Sequence, residues 1–151
     1  MVSIKFENLG NIQKRFQMMM TRAVKNDPAM GVIAAKGYKN VVEHFSMQEG
    51  ENGKWAMPKP ATLRARANRS NKSGRRKSSS ILALVDTGLL RARIRFRAMN
   101  DEARIYSTDV YAPTHNFGDP SRNIPQRKFM WITKPMQKSM IKSLLDYIIR
   151  K

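Results

Sequence analysis

At 151 residues the chain is one domain in length and long enough to bury a sizeable core. Its 29 Lys and Arg against 11 Asp and Glu leave a formal charge of +18, so isolated copies repel one another, and an acidic companion is expected, either nucleic acid or the acidic face of another protein. Without cysteine there are no disulfides, thiol catalysis or thiolate zinc sites, and with no apolar run of bilayer-spanning length or leader-like N-terminus the expectation is a soluble protein with no membrane partner.

Residues 2–6 alternate apolar and polar, as a short strand does. Leu9, Ile12, Phe16, Met19, Met20 and Ala23 then recur at three- and four-residue steps, which predicts a helix over about 11–26. Met18, Met19 and Met20 are read first as core filling, with an adaptable partner surface as the alternative. Asp27-Pro28 supplies a helix start, and a second helix follows to about Phe45 with Met30, Ile33, Ala34, Tyr38, Val41, Val42 and Phe45 inward. Gly31 and Gly37 each cost this helix about 1 kcal/mol relative to alanine. Close approach of the first helix would explain them. His44, near the helix end, reads as a half-exposed structural residue.

From Gln48 to Thr62 the chain is turn-rich, and Trp55 is its one large apolar side chain apart from Met57. Trp55 is either an anchor pinning the loop to the core or a hot spot for a subunit or partner interface. Residues 64–80 form the most biased segment: Arg64, Arg66, Arg69, Lys72, Arg75, Arg76 and Lys77 occur without an acid among them. Such a segment buries too little to order itself, so a long basic loop or arm facing DNA or a partner is expected, with a plain solvated loop as the alternative.

Asp86, Thr87 and Gly88 make a tight turn in which glycine permits positive φ. From Leu90 the period is two, with Leu90, Ala92, Ile94, Phe96 and Ala98 on one face and Arg91, Arg93, Arg95 and Arg97 on the other. A strand would space those guanidinium groups about 6.8 Å apart. Such a row calls for carboxylates, phosphates or a subunit contact, unless it is simply solvated. Met99 to Glu102 reverses the chain, and 103–110 return as the second strand of a hairpin. Tyr111, His115, Phe117 and Gly118 are read as a packed structural corner with a hydrogen-bonded histidine. Residues 124–132 read as an ordered arm or edge strand. Thr133 caps a last helix, with Pro135 in its first turn and Met136, Met140, Ile141, Leu144, Leu145, Ile148 and Ile149 on its apolar face.

Candidate chemistry is thin. His44 and His115 are the only histidines, and neither has a metal-ligand set near it in sequence. His115, Asp109 and Ser107 supply the residue types of a hydrolase triad, but within nine residues and without a nucleophile elbow. No phosphate-binding glycine motif is present. The reading is therefore a non-enzymatic protein without catalytic residues, metal or cofactor.

Four blocks in one order carry a resemblance. Asn52-Gly53-Lys54-Trp55-Ala56-Met57-Pro58-Lys59-Pro60-Ala61-Thr62 is similar to G-x-x-W-x-P-L-S-x-A-T, and Leu84-Val85-Asp86-Thr87-Gly88-Leu89-Leu90-Arg91 to L-x-D-T-G-x-L-R. Tyr111-Ala112-Pro113-Thr114-His115-Asn116-Phe117-Gly118 is similar to Y-A-x-x-H-Q-F-G, and Ile124-Pro125-Gln126-Arg127-Lys128-Phe129 to I-P-A-R-P-F. In these blocks the chain resembles the phage virion morphogenesis or tail completion proteins, Mu-like and related neck proteins. Asn116, Lys128 and Trp131 depart from the usual glutamine, proline and glycine.

The resemblance implies a single α+β domain over 1–151, a small antiparallel sheet with two N-terminal helices and a C-terminal helix packed on it. It implies a structural virion subunit at the head-tail neck or tail terminus, assembled in the host cytoplasm. The implied partners are further copies in a ring, often hexameric, other neck and tail proteins such as connector or adaptor, tube or sheath, and DNA in the channel. Charge alone supports another reading, a stand-alone nucleic-acid-binding protein of ribosomal or chromatin type.

Overall fold

A computed structural model describes residues 9–69, 80–99 and 101–150. The expected strand at 2–6 lies outside the described residues, as do Lys72, Arg75, Arg76 and Lys77.

The fold is built on its longest described helix, α2 (Asp27–Met47), which follows α1 (Leu9–Val24) after a two-residue break. Asn26 is the residue before the first turn of α2, and its side chain makes no cap bond. Asp27 is therefore the first helical residue, where its charge suits the positive pole of the helix dipole, rather than the cap expected from sequence. Gln48 ends the helix in a left-handed conformation, φ 56°, its N–H returning to the His44 carbonyl. The Gln48 side chain then acts as a strand neighbour would. Its Nε2 donates to the carbonyls of Phe45 (2.6 Å) and Ala83 (3.1 Å), and its Oε1 accepts from the Ala83 N–H (2.6 Å).

Two antiparallel hairpins follow: β1 (Glu49–Gly50) with β2 (Gly53–Lys54), and β3 (Ile94–Met99) with β4 (Glu102–Ser107). Between them lie α3 (Pro60–Ala67) and the short helical turn α4 (Leu89–Ala92); after them come α5 (Ala112–Phe117), a 3-10 turn over Pro120–Arg122, and α6 (Lys134–Ile149). The second hairpin lays Ile94, Phe96 and Ile105 toward α2, where the Phe96 ring meets Tyr38 with centroids 5.3 Å apart. Helix α6 covers α2 farther along, and Lys36 Nζ donates to Ser139 Oγ (2.8 Å) and Ser143 Oγ (2.6 Å). Thr133 caps α6 as its sequence predicts, Oγ1 accepting from the Met136 N–H. The α+β class is thus as expected.

The core joins Val41, Phe45, Trp55, Ala83, Leu84, Ile94, Ala112 and Phe129. Phe45 is its hub, edge-on to Trp55 at 5.6 Å and tilted on Phe129 at 5.2 Å. Trp55 is thus the anchor of its loop, buried inside the subunit, and not the surface hot spot that was its other reading. His44 is buried rather than half-exposed. It stacks on Trp131 with centroids 4.7 Å apart, and its Nε2 lies 3.2 Å from the Trp131 carbonyl.

Three further expectations need correction, and one choice is settled. The regular strand starts at Ile94, not Leu90, because residues 89–92 wind into α4 after the left-handed Gly88 (φ 76°). Helix α1 has α6 as its main neighbour and leaves Phe16, Met18 and Met20 in solvent, so of the three methionines only Met19, half-buried, contributes to packing. Gly37 admits the sheet and α6 rather than α1: a Cβ there would collide with Ile105 Cδ1 and lie 2.9 Å from Met140 Cε. Residues 124–132 are the arm rather than the edge strand of the two readings, with the isolated bridge of Asp119 to Ile124 at its start.

Glycines in this fold differ sharply in what they tolerate. A Cβ at Gly50 would lie 2.6 Å from the Lys128 carbonyl oxygen, which is backbone and cannot rotate away, while Gly31 has open space around it. Gly50→Ala should therefore lower the unfolding free energy by about 1–3 kcal/mol, and Gly31→Ala should raise it by about 0.5–1 kcal/mol. Urea titrations of both variants check this; equal stabilities would contradict the packing described.

Candidate functional site

The motifs quoted from the sequence converge on one cleft of about 810 Å3. Its walls come from the loop before α3 and α3 itself, the turn at 83–90, the end of β4 with α5, and the arm at 123–127. Met57, Pro58, Leu89, Leu90, Ile124 and Pro125 give it an apolar lining. Arg66, Arg69, Arg93 and Arg127 enter it with Asp86 and Asp109.

The basic segment is not wholly an arm. Arg64 and Arg66 belong to α3, and Arg66 is buried, its NH1 donating to the carbonyls of Ser80 (2.9 Å) and Leu82 (3.0 Å). Arg69 forks onto Asp86, NH1 to Oδ1 at 3.3 Å and NH2 to Oδ2 at 2.5 Å, and the Asp86 carboxylate raises the pKa of Arg69. Asp86 thus serves the two arginines of the preceding segment, Arg66 Nε lying 3.8 Å from its Oδ1. Thr87 Oγ1 bonds to the backbone of this turn, accepting from the Leu89 N–H at 3.5 Å.

The row of four arginines does not form. Arg91 lies on α4 and Arg93 on the residue before the strand, where its NH1 meets buried Asp109 Oδ2 at 3.2 Å. Only Arg95 and Arg97 project from β3, and the partner strand adds Arg104, directly opposite Arg97. That outer face is basic all the same. Arg104 went unnoticed because cross-strand neighbours are set by register, and the sign of its strand position is plain only once Phe96 is paired with Ile105.

The expected aromatic corner is a short helix. Tyr111 and Phe117 are exposed, and Ala112 and Asn116 are the residues that α5 buries. Gly118 follows with φ 79°, and a Cβ there would lie 2.9 Å from the Gln126 backbone nitrogen. Asn116 Oδ1 accepts from the N–H groups of Phe129 (3.1 Å) and Met130 (3.0 Å), fastening the arm. Burial is the main reason that His115 titrates low, aided by the Arg127 and Arg122 charges and opposed by Asp109. Its Nδ1 is buried without a hydrogen-bond partner, so the histidine is not held by the bond expected of it.

Arg127 is the residue that sequence reading passed over. It is 8% exposed. Its Nε donates to the Ala56 carbonyl at 2.9 Å and its N–H to the His115 carbonyl at 2.8 Å. Burial, and secondarily the charge of Arg66, lower its pKa. For catalysis the cleft is poorly equipped: Asp109 is engaged by Arg93 and by the Tyr111 N–H at 2.9 Å, and Ser107 Oγ accepts from the Asp109 N–H. No group of three or more potential metal ligands exists among the described residues. Nor is any described helix long and apolar enough to cross a membrane.

A model of the phage virion morphogenesis family matches residues 7–149. No curated protein and no solved structure matches the chain significantly.

Both histidines are depressed chiefly by burial, His44 also feeling opposing contributions from the Trp131 carbonyl, Glu49 and Glu43. In the unfolded chain they take up protons near pH 6.5, and in the folded protein only at lower pH. Their contribution to stability is therefore complete above the unfolded value and is lost as pH falls toward the folded values. The urea midpoint should decrease from pH 7.5 to 5.5, and a His44→Gln, His115→Gln double variant should flatten that slope. A wild-type midpoint constant over this interval would refute the neutral-histidine assignment.

Proposed function

The chain belongs to the phage virion morphogenesis family, and from that premise we propose that it completes the tail or joins tail to head as one subunit of an oligomeric ring. A structural role in virion assembly follows from the family. The ring rests on the surface of the subunit, and its place at the neck or tail terminus on the resemblance carried by the four sequence blocks.

The observation that carries the reading is α1. Ile12, Phe16, Met20 and Val24 stand at successive four-residue steps on one side of it, with exposures of 46%, 61%, 68% and 82%. A second series with the same step, Ile141, Leu145 and Ile149, is exposed on α6, against which α1 rests. Rows at this spacing are the ridges by which helices interlock, and a contiguous apolar surface of this kind marks a protein contact. With a net charge of +18, copies repel at long range, so apolar contact and the acidic residues of neighbouring proteins must supply the attraction.

Arg95, Arg97 and Arg104 on the hairpin and the basic segment are assigned to neighbouring neck and tail proteins or to DNA in the channel. Of the seven arm cations, Arg66 and Arg69 are engaged within the subunit, which leaves at most Arg64, Lys72, Arg75, Arg76 and Lys77 for phosphates. A stand-alone DNA-binding protein using this arm would therefore show a log-log salt slope near −4.5 rather than about −6.

Phe16→Asp tests the ring. Native mass spectrometry should find the wild type as a closed oligomer and the variant as monomer, with the variant's thermal midpoint within about 2 °C of a wild-type monomer, as expected of a solvent-facing substitution. A wild type that stays monomeric at all concentrations yet binds duplex DNA tightly would overturn the reading in favour of a nucleic-acid-binding protein.

A further inference from the structure

We propose that the cleft beneath α3 is a docking groove for an extended acidic segment of a partner protein, one of whose carboxylates seats on the Arg127 guanidinium. The proposal is independent of the ring, which rests on another surface.

Arg127 is nine-tenths buried, and only its Nε is satisfied; its two terminal amino groups have no hydrogen-bond or ion-pair partner among the described residues. The nearby carboxylates are committed elsewhere. Asp86 holds Arg69 and neighbours Arg66, while Asp109 holds Arg93 and the Tyr111 N–H. Inside the cleft, four guanidinium groups thus face two carboxylates. The flanking stretch 70–79 contains no acid that could supply the missing charge. A buried cation of this kind is destabilising alone and strongly favourable when an anion with good geometry reaches it. His115 lines the same cleft, its buried Nδ1 without a hydrogen-bond partner.

Shape selects the class of anion. The cleft has the volume of a site for several side chains, and its apolar lining suits hydrophobic residues beside the acid. A duplex phosphate, carried on a rigid cylinder, is poorly shaped to follow the cleft down to Arg127, a residue only 8% exposed. A polypeptide can follow it, because an extended chain presents one side chain at a time to the depth of a groove.

The test uses the full-length protein and a capped peptide alternating Leu with Asp and Glu, compared with its Asn and Gln analogue, inorganic phosphate and a short DNA duplex. Binding is read by nitrogen-proton NMR, including the Arg127 Nε–H resonance. The acidic peptide should shift that resonance and bind at least about tenfold tighter than its amide analogue, as expected when a desolvated charge gains its partner. Arg127→Met should remove the preference for the acidic peptide while leaving the free protein at least as stable as wild type. Should that variant fail to fold, the wild-type resonance still decides. Equal affinity for the two peptides, no shift at Arg127, or a shift produced by phosphate or duplex but not by peptide would each overturn the proposal.

Discussion

The arm from Ile124 to Thr133 runs along the domain without a neighbouring strand, with Arg127 and Phe129 buried, and side chains take the place that a strand would fill. Asn116 accepts two consecutive N–H groups of the arm, at Phe129 and Met130. Asn40 Oδ1 accepts the Thr133 N–H at 2.9 Å, and His44 meets the Trp131 carbonyl. Each buried backbone group left unpaired would cost about 1–3 kcal/mol, so these contacts decide whether the arm can lie inside at all. Phe129, entirely buried beside Phe45, is what its presence there contributes.

Much else depends on that placement. Thr133 ends the arm and caps α6, so Asn40 fixes both the path of the arm and the position of the last helix on α2. The Lys128 carbonyl presses against Gly50, which ties the first hairpin to the same line. Arg127 is carried into the cleft as a by-product of this threading, flanked by a main-chain bond to His115 and a side-chain bond to Ala56. Gln48 performs a comparable service at the end of α2, pairing with Ala83 through both ends of its amide. A fold whose described sheets are two short hairpins is held together by amide side chains acting as substitutes for ladder partners.

Local chemistry was a good guide to α2 and α6, whose starts are marked by Asp27-Pro28 and Thr133-Lys134-Pro135, and to the left-handed Gly88. The periodicity of α1 was equally plain, but periodicity says which residues share a face and not whether that face is covered. Residues 89–92 defeated the alternation argument because Leu, Arg and Ala are also good helix formers, and the turn at Gly88 delivers them in helical conformation. The cleft was legible only as motifs. That Pro58, Asp86, His115 and Arg127 stand in blocks that go together is carried by the family resemblance, while the burial of Arg127 depends on Ala56, 71 residues away. No local pattern encodes a contact of that range.

The walls of the cleft are drawn from residues 56–69, 83–93, 109–115 and 123–127, so four separate segments of the chain must be in place before the groove exists. A subunit misfolded at the hairpin, the short helix or the arm has no groove to present. Recruitment through this surface would then select for completed subunits, a proofreading step for particle assembly that needs no separate chaperone.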